Sequence, residues 1–117
     1  MDRIFIWLDD EREMPKYWEA AVNRGKTANQ IFRSAKDLIK WYNENSQEYE
    51  KIFISFDHDL GSTETGYDVA KYITSHNLPL AGFAAHSMNP VGRKNIINLL
   101  THYGYKEMKY TSDIINY

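Results

Sequence analysis

Cysteine is absent from this 117-residue chain. Its absence excludes a disulfide scaffold, a zinc–thiolate site, an iron–sulfur cluster and a cysteine nucleophile. A strong net charge is missing too. Lys and Arg number 14 against 16 Asp and Glu, a formal charge of -2. That removes the simple argument for tight, nonspecific binding to nucleic acid and leaves only a local basic patch open. Long apolar runs are also lacking, and no segment nears the roughly 20 residues a membrane helix needs. The opening stretch has only Ile4 to Leu8 before two aspartates. A signal peptide needs a longer apolar region, so a cytoplasmic location is expected. There is no internal repeat, low-complexity tract or linker.

What is present is ordinary globular material. At 43% hydrophobic and 26% charged, the chain sits on soluble averages, and its length allows one domain over residues 1–117. Such a domain buries roughly 65% of its unfolded surface, enough for a core without staples.

Short branched and aromatic runs read as buried strands: Ile4 to Leu8, Ile52 to Phe56, and Leu80 to Ala85. Gln30 to Arg33 reads as a weaker strand, and another falls within Tyr105 to Thr111. Helices lie between them. Ser34 with Asp37, and Thr65 with Asp68, form capping boxes ahead of apolar positions. Asn89 then Pro90 reads as an N-cap and first helical position, with the helix ending near Gly104. Glu11 to Lys26 is ambiguous between loop and poor helix. Alternation of strands and helices implies a parallel sheet covered on both sides. The expected fold is α/β, a doubly wound five-stranded parallel sheet in the order 2-1-3-4-5.

Three of these strands end in titratable residues: Asp9-Asp10, Asp57-His58-Asp59 and His86-Ser87. In the expected topology the first and third strands are neighbours, about 4.8 Å apart, at a switch point where ligands bind. Asp9, Asp10 and Asp57 would then crowd together. Oxygen-only ligands suit Mg2+ or Mn2+, and magnesium also accepts phosphate oxygens. The alternative is that each aspartate merely ends a strand.

His86 can give or take a proton near neutral pH. An acidic neighbourhood would raise its pKa and favour a general acid. His58 is a second catalytic candidate, ranked lower because one step past Asp57 a side chain faces the other way. The helix N-terminus after His86 favours an anion, Gly92 would allow close backbone approach, and Arg93 could reach a phosphate. Arg12 could bind phosphate, or form a simple salt bridge. Ser87 and Asn89 join this phosphate or substrate set, although Asn89 also has its capping role. Tyr17, Trp18 and Tyr67 are candidates for base stacking.

Leu8-Asp9-Asp10-Glu11-Arg12-Glu13-Met14-Pro15, Ser55-Phe56-Asp57-His58-Asp59-Leu60-Gly61, Thr65-Gly66-Tyr67-Asp68 and His86-Ser87-Met88-Asn89-Pro90-Val91-Gly92-Arg93 together carry a resemblance. Four blocks in order, from about Ile4 to Leu100, resemble the cyclic-phosphate processing receiver-like family, related to two-component receiver domains. The resemblance implies a receiver fold and action on cyclic phosphate ends in RNA processing. It implies Asp9, Asp10 and Asp57 as metal-binding acids, Asp57 as a possible phosphoacceptor, and Ser87 at the hydroxyl position. Receivers carry Lys, usually followed by Pro, at the fifth strand, whereas here Lys109 precedes Tyr110. That departure, with the added DHD and HSxN elements, favours phosphoester chemistry over phosphorelay.

The leading expectation is a metal-dependent phosphodiesterase or phosphotransferase acting on a phosphate-containing small molecule or an RNA end. In it Asp9, Asp10 and Asp57 hold the cation, His86 moves the proton, and Arg93 and Ser87 hold the phosphate. Asp57 as a covalent nucleophile is a variant. The alternatives are a phosphorylatable switch and a domain that only binds a ligand or partner.

Overall fold

The computed structural model describes residues 3–16 and 27–108. Strand β1 (Arg3–Leu8) is buried along nearly its whole length, as its branched and aromatic composition requires. It lies between β2 (Thr27–Phe32) and β3 (Lys51–Phe56), parallel to both. β3 in turn pairs with β4 (Gly82–Ala85), so the four strands take the order β2-β1-β3-β4. β2 starts at Thr27 and stops short of Arg33, because six consecutive pairs run from Arg3↔Thr27 to Leu8↔Phe32. β4 is shorter than its apolar run, with Leu80 and Ala81 preceding it.

The first four places of the expected order are therefore observed. The fifth strand is not shown: beyond β4 the described residues give one parallel bridge, Phe83↔Glu107. Phe83 N–H donates to the Lys106 carbonyl at 2.9 Å, and Met108 N–H to the Phe83 carbonyl at 2.7 Å. Lys109 and Tyr110 lie outside the described residues, as do Tyr17 and Trp18.

Helices α1 (Ala35–Asn45), α2 (Gly66–Ser75) and α3 (Pro90–His102) follow β2, β3 and β4. Their starts are locally encoded. The Ser34 hydroxyl accepts from Asp37 N–H at 3.2 Å, the Thr65 N–H donates to Asp68 Oδ2 at 2.7 Å, and Asn89 Oδ1 accepts from Gly92 N–H at 3.0 Å. α3 ends just before Gly104, whose φ of 89° suits only glycine without strain. Among the described residues no helix is long and apolar enough to cross a membrane.

Period-2 alternation splits the strands between two clusters. Ile4, Ile6, Leu8, Ile52, Ile54, Phe56 and Phe83 pack with apolar residues of all three helices. Phe5, Trp7 and Phe53 face the other way with Met14 and Met108. The second row matters for function, because the same alternation carries it on to Asp9 and Asp57 at the strand ends.

Candidate functional site

The sheet ladder continues one step past the strands. Asp9 N–H donates to the Phe32 carbonyl at 3.1 Å, Asp57 N–H to Leu8 at 2.9 Å and His86 N–H to Phe56 at 2.9 Å. Asp9, Asp57 and His86 are thereby placed side by side at the carboxyl end of the sheet, on the switch point between β1 and β3. One ligand atom from each lies within 4.8 Å of the other two.

Asp9 is held hard. Its side chain is only 1% exposed. Oδ1 accepts from the amides of Glu11 at 2.9 Å and Arg12 at 2.8 Å, turning the chain away from the sheet. Oδ2 bonds His86 Nε2 at 3.0 Å. Burial pushes the Asp9 carboxyl up, but the Arg12 and Glu11 amides together with His86 hold it below the usual aspartate value. Asp57 goes the opposite way. Burial and the Asp9 charge raise it, against hydrogen bonds from Ser87 and the His58 amide, and Asp10 raises it further.

His86 lies flat on the Trp7 indole, with ring centroids 3.7 Å apart and planes within 9°. Nδ1 bonds the buried Ser55 hydroxyl at 2.8 Å, and Nε2 bonds Asp9. Burial lowers its pKa, outweighing the Asp9 carboxylate that would raise it, with Arg12 also lowering it. The raised value expected from an acidic neighbourhood is corrected by this desolvation. Both ring nitrogens are occupied within the protein.

Beside Asp9 and Asp57 opens a pocket of about 320 Å3, lined by Asp9, Asp10, Glu11, Arg12, Asp57, Asp59, Gly61 and Met88. Asp10 thus lines the pocket with its carboxylate against Gly61, but it is outside the group of three that converges on one point. Of the residues expected to hold phosphate, Arg12 lines the pocket. Ser87 is 2% exposed; its hydroxyl accepts from Asn89 N–H at 3.0 Å, and its side chain acts to lower the Asp57 pKa. Arg93 Nη1 reaches the Ser87 carbonyl at 3.5 Å. Asn89 caps α3, and Gly92 makes room for the His58 ring, not for an open anion seat. His58 is turned to that helix and bonds Asp59 through Nδ1 at 2.9 Å, as its place one step past Asp57 implies.

Sequence reasoning passed over Ser55 and Trp7 as site residues, although each stands two positions before a site aspartate and so shares its face. Asp59, in the DHD run, and the 76% exposed Met88 were also overlooked as pocket walls. Arg33 carried no local signal. Its guanidinium holds the Asp9 carbonyl at 3.2 Å, the Arg12 carbonyl at 2.7 Å and Glu13 Oε1 at 3.1 Å, tying down the acidic turn.

Two neighbouring carboxylates, one of which raises the proton affinity of the other, fit a hard divalent cation, which prefers oxygen donors and relieves their repulsion. A family model described as the cyclic-phosphate processing receiver domain matches residues 4–102. No curated protein and no solved structure gives a significant match.

Proposed function

The chain belongs to the cyclic-phosphate processing receiver family, and from that premise we propose that its pocket holds Mg2+ or Mn2+ and opens a cyclic phosphate by hydrolysis. The observation that carries this reading is the pairing of Asp9 and Asp57 at the floor of one pocket, with the Asp57 carboxyl raised by burial and by the Asp9 charge. A pocket of about 320 Å3 suits a small phosphate-bearing group. That group is a cyclic nucleotide or the terminal nucleotide of an RNA.

Asp9 and Asp57 would hold the cation, and Asp10 on the pocket wall adds negative charge nearby. When bound, the cation supplies phosphoryl polarisation and a more acidic water. Arg12 on the same wall faces the phosphate and offsets its charge. In the reaction, water oxygen bonds to phosphorus and one ring P–O bond breaks. The freed sugar oxygen takes the proton that the water loses, leaving a phosphomonoester.

The test is turnover of a 2′,3′-cyclic nucleotide and of RNA ending in a 2′,3′-cyclic phosphate, by purified protein with manganese. Asp57→Asn is expected to lower the rate on the order of 100-fold or more. Absence of turnover across both substrates removes the reading. The Ser87 side chain beside Asp57, which lowers the Asp57 pKa, favours a second reading, in which Asp57 is a phosphoacceptor and the domain a switch. Labelling with acetyl phosphate that is lost in Asp57→Asn, without cyclic-phosphate turnover, would select it.

A further inference from the structure

Three side chains converge on one point at the sheet end, Asp9, Asp57 and His86. Carboxylates are natural partners for magnesium, but an imidazole there has three possible employments: ligand, proton carrier or support. We infer that His86 is a positioning residue: clamped between Ser55 and Asp9, it fixes the Asp9 carboxylate for the cation and neither ligates nor transfers the proton. This rests on the cation reading of the pocket and says which residues make up its first contacts.

The argument begins with the 3.0 Å between His86 Nε2 and Asp9 Oδ2. A carboxylate oxygen and a bare imidazole nitrogen at that distance would point lone pairs at one another, so a proton lies between them. Asp9 already accepts from two backbone amides through its other oxygen. Those bonds favour the ionised carboxylate, so the proton resides on Nε2. The other nitrogen, Nδ1, meets the Ser55 hydroxyl at 2.8 Å and is committed to that bond whichever side donates.

No lone pair of His86 is left for a metal, and no proton is left for a leaving group without breaking the bond to Asp9. The ring cannot easily swing to do so. It is stacked at 3.7 Å on Trp7, its side chain is 11% exposed, and it is not among the residues lining the pocket. Ser55, at 1% exposure, is sealed beneath it. Such a chain of hydrogen bonds orients a metal-binding carboxylate from behind, and loss of a support of this kind typically weakens metal affinity by about 10–100-fold.

Two measurements test this. In the first, imidazole nitrogen shifts of uniformly 15N-labelled protein are recorded without metal and with saturating magnesium, His86 being assigned by its loss in a His86 variant. A protonated Nε2 in both states is expected. An unprotonated Nε2 in either state overturns the inference. In the second, manganese is titrated calorimetrically into wild type, His86→Gln and His86→Leu, with folding checked by circular dichroism. Glutamine keeps an N–H donor toward Asp9, whereas leucine does not. Affinity within about threefold of wild type for His86→Gln, and at least about 10-fold weaker for His86→Leu, supports the assignment. Equal losses in both variants would show a ligand and sink it. Wild type that binds no manganese defeats the cation reading instead, and the nitrogen shifts then decide the His86–Asp9 bond alone. The shifts also stand if His86→Leu fails to fold.

Discussion

Asp9 and Asp57 end neighbouring strands, yet they act on stability in opposite senses. Asp9 is held below the usual aspartate value by the amides and imidazole that overcome its burial. Its contribution is present above the unfolded pKa and is lost as pH falls through the folded one. Asp57 is raised, first by burial and then by the Asp9 charge. As pH climbs past the ordinary aspartate value the unfolded chain ionises first, so stability falls, and the loss is complete once the folded carboxyl ionises too. At pH 7 without metal, Asp57 is therefore a destabilising charge retained for the site. Asp57→Asn is expected to raise the Tm of the metal-free protein at pH 7 by a few degrees, and to leave it unchanged well below the ordinary aspartate pKa. Thermal melts of both proteins across that pH range check this. A variant less stable than wild type at pH 7 would show that the carboxylates do not oppose one another.

Among the elements, helix α2 is set against the site by one residue. Gly66 N–H donates to the His58 carbonyl at 2.8 Å, and a Cβ at Gly66 would fall on the Asp57 carbonyl oxygen. The contact is with backbone, which has no rotamer to move. Gly66→Ala is expected to cost about 2 kcal/mol and lower the Tm by ~10 °C, with the residual folded protein losing metal affinity as Asp57 shifts. Calorimetric melting and metal titration measure both effects, and a variant with wild-type values in both would disprove the close approach. The elements themselves were largely legible in the chain. Ser34, Thr65 with Asp68, and Asn89 with Pro90 announce their helices because a cap and its helix lie within a few residues. Strand ends were less legible. Pairing with β1 sets where β2 begins, and no local pattern near Thr27 records it. Ser55–His86, Arg33 on the acidic turn, and His58 over Gly92 join residues far apart in sequence, so only the folded sheet brings them together.

For the molecule as a whole, the order β2-β1-β3-β4 was readable because alternating strands and helices leave few right-handed parallel arrangements. That order places Asp9 and Asp57 on adjacent strands, so a cation between them would tie two distant parts of the chain together in the folded state only. A ligand that binds the folded state alone stabilises it by mass action, about 2.7 kcal/mol at a free concentration 100-fold above Kd. For a domain of this size that corresponds to a rise in Tm of ~10 °C. The expected result is a Tm that climbs with the logarithm of magnesium or manganese concentration in wild type and stays flat in a variant carrying both Asp9→Asn and Asp57→Asn. Sodium chloride at matched ionic strength separates site binding from general screening of acidic side chains, which would act on both proteins alike. Scanning calorimetry across a metal series gives the answer directly. A wild-type Tm that tracks ionic strength and ignores the divalent cation would leave the paired carboxylates as a strained strand end with no ion to hold.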